Sequence, residues 1–308
     1  MFVLQPDPFL MPACRISPFQ TADMEFNNNL PPNESAKDYL NRRFGAGNWQ
    51  YTYNGREAIQ LALESYNLDK NDLVTILTTS ENFYISSCVT RQIEKFCCWN
   101  REILPETKIL FVNHEFGYPH PGMEKLIQTG LPIIEDCCTT FFSQDSIENL
   151  GQYGDYAIYS FPKFFPMQLG GLLVSSRKKP LSKTSLKEEQ IHYIQNIVSH
   201  YLIQENELLL QRKNNYEFSL SLFTSLGFTE RFETNDATVP SSLLLHNNGV
   251  VKDLNALKLF FNRHGIQNSV FYGEDAFFIP SHQNLTESDI QYFFYCMQEF
   301  LKSNNTAL

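Results

Sequence analysis

Five short apolar runs rich in β-branched residues recur between residues 73 and 176, and segments of helical or loop character separate them. The predicted strands are residues 73–77, 108–113, 131–135, 155–160 and 172–176. Alternation of such strands with helices favours a central, mostly parallel sheet that has helices on both faces. The pattern therefore predicts an α/β domain.

The rest of the chain suggests how that domain is flanked. Residues 1–34 are rich in Pro, Asn and Phe without a clear period, and we expect an extended arm that packs on another surface, a homodimer partner being one option. Residues 35–205 are the predicted large domain. Residues 206–308 are predicted to form a smaller C-terminal α+β domain that ends in a helix, whose start is marked by a capping-box-like signal at Thr286.

The composition of the chain limits the kinds of ligand that it is expected to bind. The chain has 308 residues, of which 43% are hydrophobic, and a formal net charge of −10 without a long basic block. Nucleic acid and anionic membranes are therefore disfavoured, and a small molecule is expected instead. The seven cysteines include no CxxC pair, and no stretch has the roughly 20 apolar residues of a membrane span. We expect a cytoplasmic protein with reduced thiols.

Lys163 lies in an apolar turn, residues 160–166 (SFPKFFP), seven positions ahead of Gly170. An amine among phenylalanines is partly desolvated, and a neutral amine is the form that attacks an aldehyde to give a Schiff base. The alternative is that Lys163 only extends its amine from the turn to solvent. The residues alone leave both interpretations open.

Two segments of the chain have groups that can bind an anion. Residues 54–57 (NGRE) open a predicted helix, so the backbone N–H groups of Gly55 and Arg56 favour an anion there, and the Arg56 guanidinium can bind phosphate oxygens in a fork. Ser160 ends a predicted strand with a hydroxyl that can also bind phosphate. The alternative for the first segment is a plain Asn54 cap followed by a flexible glycine.

Asp136 and Phe83 are placed to contact a planar ring. Asp136 ends a predicted strand, where ligands of open α/β sheets collect, and a carboxylate can hold a pyridine nitrogen protonated. Phe83 lies between a predicted strand and a predicted helix, where its side chain can stack on such a ring. The alternatives are an Asp136 that caps the next helix and a Phe83 that belongs to the core.

Taken in chain order, these segments resemble the DegT/StrS-type aminotransferases, fold-type-I pyridoxal-phosphate enzymes that aminate keto-sugars. Residues 54–59 (NGREAI) look like the family's Ser-Gly-Thr-x-Ala-Leu, residues 112–117 (VNHEFG) resemble Val-His-x-x-Gly, and residues 134–139 (IEDCCT) are similar to Glu-Asp-Ala-Ala-Gln. Residues 82–86 (NFYIS) resemble its ring-stacking segment and residues 279–286 (IPSHQNLT) its closing segment.

The resemblance implies a pyridoxal 5'-phosphate enzyme that is a homodimer and passes an amino group, from glutamate, to a keto-sugar in amino-sugar or surface-polysaccharide biosynthesis. Lys163 would be the catalytic lysine that holds the cofactor as a Schiff base. The implied cofactor-binding residues are Gly55, Arg56 and Ser160 for the phosphate, Phe83 for the ring face, Asp136 for the pyridine nitrogen and Thr139 near the ring hydroxyl.

Departures from the family pattern support an alternative function. Lys163 follows Ser160 by three positions, where the family has five, and Thr139 and Phe164 replace the usual Gln and Asn. The alternative is a binding or scaffolding protein that has lost amine transfer. A keto-sugar dehydratase is disfavoured, because relatives with that activity carry His in place of the lysine.

Other reactive side chains have simpler interpretations. His114 and His120 are separated by a Gly-Tyr-Pro turn that has no recognised ligand geometry, so no metal site is expected. Cys137 and Cys138 are predicted to be small core residues rather than nucleophiles.

Overall fold

The computed structural model describes residues 14–176 and 179–305. Its helices are α1 (Asp23–Asn28), α2 (Ser35–Phe44), α3 (Gly55–Glu64), α4 (Ser87–Ile93), α5 (Met123–Gln128), α6 (Glu188–Ile203), α7 (Glu205–Thr224), α8 (Leu254–Arg263) and α9 (Glu287–Asn305), with a 3-10 helix at Phe161–Lys163. Its strands are β1 (Trp49–Thr52), β2 (Leu73–Thr78), β3 (Cys98–Asn100), β4 (Thr107–Asn113), β5 (Ile133–Asp136), β6 (Tyr156–Ser160), β7 (Gly171–Ser175), β8 (Thr229–Glu230), β9 (Leu243–His246), β10 (Ser269–Val270) and β11 (Ala276–Ile279).

The larger sheet has the strand order β1-β7-β6-β5-β4-β2-β3. Pairing is parallel from β3 to β6, and β7 is antiparallel to both of its neighbours. The carboxyl ends of β1, β2, β4, β5 and β6 therefore meet at one edge of the sheet. The α/β prediction and all five predicted strands are confirmed, whereas β1 and β3 were not predicted.

Helices cover both faces of this sheet. Along β6 the side chains alternate, so that Tyr156 and Ile158 pack with α3 and α4, while Ala157 and Tyr159 pack with α2 and α6. Each strand position is thereby buried on one face or the other, which explains why the strands are nearly continuous apolar runs.

The C-terminal part is a separate antiparallel sheet with the order β10-β11-β9-β8. Together with α7, α8 and α9 it forms its own core, to which α9 contributes Ile290, Phe293 and Met297. The predicted α+β character and the final helix are confirmed. Helix α6 ends and α7 begins around Gln204, and we retain 34/35 and 205/206 as proposed domain boundaries.

The arm differs from the expected extended segment, because residues 23–28 form α1. The Asp23 carboxylate accepts a hydrogen bond from the backbone N–H of Gln20 and so supports the first turn. Residues 14–30 pack on their own chain: Cys14 forms a β-bridge with Ile266, and α1 lies against α6. Residues 1–13 of the predicted arm lie outside the described residues. No helix within the described ranges is long and apolar enough to cross a membrane.

Candidate active site

The sheet edge brings the first turn of α3 next to the end of β6. A Cβ atom on Gly55 would lie 3.5 Å from Cβ and 3.9 Å from Oγ of Ser160. The side chain of Asn54 caps α3 by accepting from the backbone N–H of Glu57 at 3.0 Å, so the cap and the predicted anion site coexist. The Ser160 hydroxyl makes no hydrogen bond within the described part of the chain. Backbone N–H groups at a helix start beside an unpaired hydroxyl suit an anion such as phosphate.

The glycine pair allows this close approach. Gly171 pairs with both Thr52 and Ser160 in the sheet, and a Cβ atom there would lie 2.7 Å from backbone carbon C of Asn54. Gly170 has a φ of +116°, which favours glycine. Its N–H donates to the carbonyl oxygen of Tyr53, while its own carbonyl accepts from the N–H of Phe161. The end of β1 and the lysine turn are thus joined through the glycines.

Asp136 lies at the end of β5 with only 5% of its surface exposed. Burial raises the pKa of its carboxyl group, while a hydrogen bond from the backbone N–H of Cys138 and the charges of His114 and Lys163 act in the opposite direction. The next element after β5 is the strand β6, so Asp136 does not cap a helix and that alternative is wrong. A buried carboxylate of this kind calls for a cationic or N–H partner.

Lys163 ends the 3-10 helix that follows β6, and its side chain is half-buried. It follows the carboxyl end of β6 and so lies at the same sheet edge as Asp136, and its charge acts on both Asp136 and Cys138. Lys163 Nζ has no hydrogen bond or ion pair with the described residues. Phe164 and Phe165 are fully buried and pack edge-on against Phe142 and Phe141, so their rings belong to the core.

The remaining predicted residues have different surroundings. The Thr139 hydroxyl donates to the carbonyl oxygen of His114 at 2.8 Å, which holds it beside the end of β4. Phe83 is 79% exposed on the loop after β2 and does not belong to the core. The Arg56 side chain is exposed and lines an open groove of about 550 Å³ together with Glu57 and Lys183. The Phe83 side chain is free to cover a ring, and the Arg56 side chain is free to move toward an anion.

A buried His114–Glu135 pair supports the ends of β4 and β5. The backbone N–H of His120 donates to His114 Nδ1 at 2.9 Å, so the ring proton is assigned to Nε2, which lies 3.3 Å from Oε2 of Glu135. The Glu135 carboxylate also accepts from backbone N–H groups of Gly151, Tyr153 and Gly154. His114, Glu135 and Cys137 lie within 4.8 Å of one another, but their nitrogen and oxygen lone pairs already serve hydrogen bonds, and we assign no metal here.

Cys138 is a site residue that the sequence interpretation missed. Cys137 is fully buried as predicted, but Cys138 is partly exposed, and its Sγ would lie 2.9 Å from a Cβ atom on Gly55. Burial and the neighbouring Asp136 raise the pKa of its thiol well above the ordinary value. It is therefore a neutral thiol at the floor of the predicted anion site. Its position two residues after a strand-end carboxylate was the available signal.

Known proteins resemble this chain in fold rather than in sequence. No protein-family model matches the chain, and neither does any curated protein. Among solved structures, the aminotransferase TlmJ from Streptoalloteichus hindustanus superposes with a TM-score of 0.71 at 16% identity, over 98% of this chain and 99% of that one.

A Streptococcus pneumoniae protein described as a sugar aminotransferase gives a TM-score of 0.68 at 13% identity, over 98% and 99% of the two chains, and has also been solved in PLP and PMP forms. A DegT DnrJ EryC1 StrS aminotransferase from Brucella abortus gives 0.66 at 11% identity, over 91% and 93%. The chain therefore has the fold of the DegT/StrS-type aminotransferases, a fold-type-I aminotransferase architecture.

Proposed function

We propose that the protein is a pyridoxal 5'-phosphate-dependent aminotransferase that passes an amino group from glutamate to a keto-sugar in amino-sugar biosynthesis. The proposal rests on the shared fold and on one observation above others. A buried carboxylate and a helix start lie at one edge of the sheet, together with an amine and a hydroxyl that have no hydrogen-bond partner among the described residues; they belong to Asp136, Gly55, Lys163 and Ser160. We further propose a cytoplasmic homodimer.

The residues of this edge fit the parts of the cofactor. The first N–H groups of α3 and the Ser160 hydroxyl would hold the phosphate, with Arg56 as a mobile cation nearby. Asp136 would face the pyridine nitrogen, Thr139 the ring hydroxyl and Phe83 the ring face. Gly55 leaves room for this, because a side chain there would occupy the space next to Ser160 and Cys138.

When bound, pyridoxal phosphate supplies an aldehyde that exchanges amines and a ring that withdraws electrons from the substrate carbon. Asp136 would keep a proton on the ring nitrogen, because a cationic partner would stabilise its buried carboxylate. Lys163 would hold the cofactor, and its Nζ would also serve as the base that takes the proton from the α-carbon of the amino donor.

The first half of the reaction tests the proposal. Glutamate and pyridoxal phosphate give 2-oxoglutarate and pyridoxamine phosphate in equal amounts, and both products can be measured by chromatography after incubation with purified protein. We expect both products from the wild-type protein and neither from Lys163→Ala. Cofactor binding without either product would favour the alternative of a binding or scaffolding protein, which draws no support from the solved relatives.

The second half identifies the acceptor class. With ¹⁵N-glutamate as donor, we expect the label to appear in a keto-sugar and to require catalytic amounts of pyridoxal phosphate. A panel of free and nucleotide-linked keto-sugars, with simple 2-oxo acids as the comparison, distinguishes sugar amination from general transamination. Label transfer to the oxo acids alone would contradict the sugar assignment while leaving the aminotransferase assignment intact.

A further inference from the structure

Side chains distant in sequence hold the backbone of the lysine turn. Four of its carbonyl oxygens accept hydrogen bonds from outside the turn. The pairs are Ser17 Oγ to Pro162 at 2.7 Å, Arg212 Nη2 to Lys163 at 3.2 Å, Gln283 Nε2 to Phe164 at 2.8 Å and Asn27 Nδ2 to Pro166 at 2.8 Å. The donors come from the arm, from α7 and from the segment before α9.

The local sequence explains why outside donors are needed. Pro162 and Pro166 have no N–H group, and the 3-10 helix lasts for only three residues, so the turn has few donors of its own. A carbonyl group that is wholly or partly removed from water destabilises the fold unless it accepts a hydrogen bond. The orientation of the turn is consequently set by the side chains that supply the missing donors.

Arg212 is the strongest of these donors. It is 1% exposed, and besides the Lys163 carbonyl it donates to the carbonyl oxygens of Pro240 and Ser241. Its guanidinium also lies 4.7 Å from the ring centroid of Phe164, and Nη1 donates to Oε1 of Gln283 at 2.7 Å. The carbonyls of Lys163 and Phe164 are thus held by two side chains that are bonded to each other.

This guanidinium is a buried cation without a carboxylate partner among the described residues, and burial lowers its pKa to about 9. A buried charge that is balanced only by carbonyl dipoles stabilises a fold poorly, and an apolar side chain of similar volume often does as well. What the Arg212 guanidinium contributes is orientation, because its planar fork of N–H groups fixes the positions of several carbonyl acceptors at once.

We propose that Arg212, bonded to Gln283, is a positioning residue for Lys163, which directs the lysine amine toward Asp136 and the cofactor aldehyde. The inference rests on the proposed function, since it concerns the same lysine. Neither residue touches the reacting atoms. They act by holding the carbonyl groups of Lys163 and Phe164, which belong to two consecutive peptide bonds.

The test compares Arg212→Met, Arg212→Lys and Gln283→Met with a matched control, Tyr216→Phe. Tyr216 lies one turn further along α7, is buried, and donates to Glu230 at 2.5 Å. Among the described residues it makes no hydrogen bond with the lysine turn. Thermal unfolding of each cofactor-free protein measures the loss of stability. The rate of covalent attachment at Lys163 is then measured with pyridoxal phosphate and cyanoborohydride. The lysine nitrogen bonds to the aldehyde carbon with loss of water, and hydride from cyanoborohydride makes the bond permanent.

We expect attachment at Lys163 to slow by about tenfold to 100-fold in Arg212→Met and Gln283→Met, since misplacement of a reacting group by about 1 Å has an effect of that size. Arg212→Lys should fall between wild type and Arg212→Met, because it keeps the charge and loses the fork. Tyr216→Phe should keep the wild-type rate of attachment even if its thermal stability falls as far as that of Arg212→Met. Equal rates in all variants, or an equally slow control, would overturn the inference.

A second readout does not depend on the cofactor. Hydrogen–deuterium exchange of the peptide that spans residues 161–167 should accelerate in Arg212→Met and Gln283→Met and stay unchanged in Tyr216→Phe. No attachment to Lys163 in the wild-type protein would contradict the proposed function alone, whereas unchanged exchange in both variants would contradict the positioning role. If Arg212→Met does not fold, Gln283→Met carries both measurements.

Discussion

A Cβ atom placed on Gly55 would lie 2.9 Å from the sulfur of Cys138. This contact joins the first turn of α3 to the residues that follow β5, and Ser160 at the end of β6 closes the same space. Three segments that are far apart in sequence therefore define one small volume at the sheet edge. The volume exists because position 55 has no side chain.

Gly55→Ala should lower the free energy of unfolding by about 1–3 kcal/mol, the usual effect of placing a methyl group too close to a buried neighbour. Cys138→Ala in the same chain should restore most of that loss, because it removes the sulfur against which the new methyl group collides. Urea denaturation of the two single variants and the double variant measures the coupling. Strictly additive losses would show that residues 55 and 138 do not share the space described.

Asp136→Asn should leave the cofactor-free protein equally or more stable at pH 7 while weakening pyridoxal phosphate binding. Burial raises the pKa of Asp136 above its ordinary 3.8, so the folded state binds this proton more tightly than the unfolded state does. Its contribution to stability consequently falls as the pH rises from 3.8 through the raised folded value. Asp136→Asn has no carboxyl group to ionise and therefore does not lose stability in this way.

Urea denaturation of both proteins at pH 7 and at lower pH checks the sign. The stability advantage of Asp136→Asn should shrink as the pH falls toward 3.8. A variant that is much less stable than wild type at pH 7 would show that the ionised carboxylate supports the fold rather than a ligand.

His282 should make the protein sensitive to acid. Burial and the charge of Arg212 lower the pKa of this imidazole from 6.5 to about 3, and its Nε2 proton is donated to the carbonyl oxygen of Arg15. A base with a depressed folded pKa contributes stability that is present above 6.5 and is lost as the pH falls toward 3. His282→Gln should reduce the slope of unfolding free energy against pH by up to about 1.4 kcal/mol per pH unit in this window.

The matched control for this experiment is His192→Gln, the same substitution at an exposed position on α6. Denaturation series at pH 4 to 7 give the slope for each protein. An identical slope in wild type and His282→Gln would mean that this imidazole does not couple to folding.

Gly273→Ala should displace the loop that carries Phe83. Gly273 has a φ of +98°, and a Cβ atom there would lie 2.1 Å from Oδ1 of Asn82, whose amide group donates to the carbonyl oxygen of Tyr272. We expect weaker pyridoxal phosphate binding, measured by titration of cofactor absorbance. Gly249→Ala is the control, because Gly249 has a φ of +73° and nothing within 4 Å of the added atom. Equal cofactor affinity in the two variants would show that the turn at Gly273 does not influence cofactor binding.

The sequence predicted the central sheet well because its strands are buried on both faces. Continuous apolar runs such as residues 108–113 have few other structures open to them in a chain of this size. The strands β1 and β3 lie at the two edges of the sheet and have mixed composition, so their pairing depends on partners rather than on local pattern. The short helix α1 was missed for a similar reason, since its neighbours in the fold are distant in sequence.

The places of the candidate site residues in the fold could be predicted, because strand ends and helix starts can be placed from local pattern. Asp136 and Ser160 follow from that rule. The hydrogen bonds from Arg212 and Gln283 to the lysine turn could not be predicted. Arg212 is 49 positions from its acceptor Lys163, and Gln283 is 119 positions from its acceptor Phe164. The proximity of Cys138 to Gly55 likewise depends on how two side-chain directions meet in space.

The most direct test of the account is to find which lysine pyridoxal phosphate modifies. Purified protein is incubated with the cofactor, reduced with borohydride, digested and analysed by mass spectrometry. We predict a single modified site at Lys163, and no modification of comparable extent in Lys163→Ala. Modification centred on another lysine, such as Lys183 in the open groove beside α3, would contradict the assignment of this sheet edge as the active site.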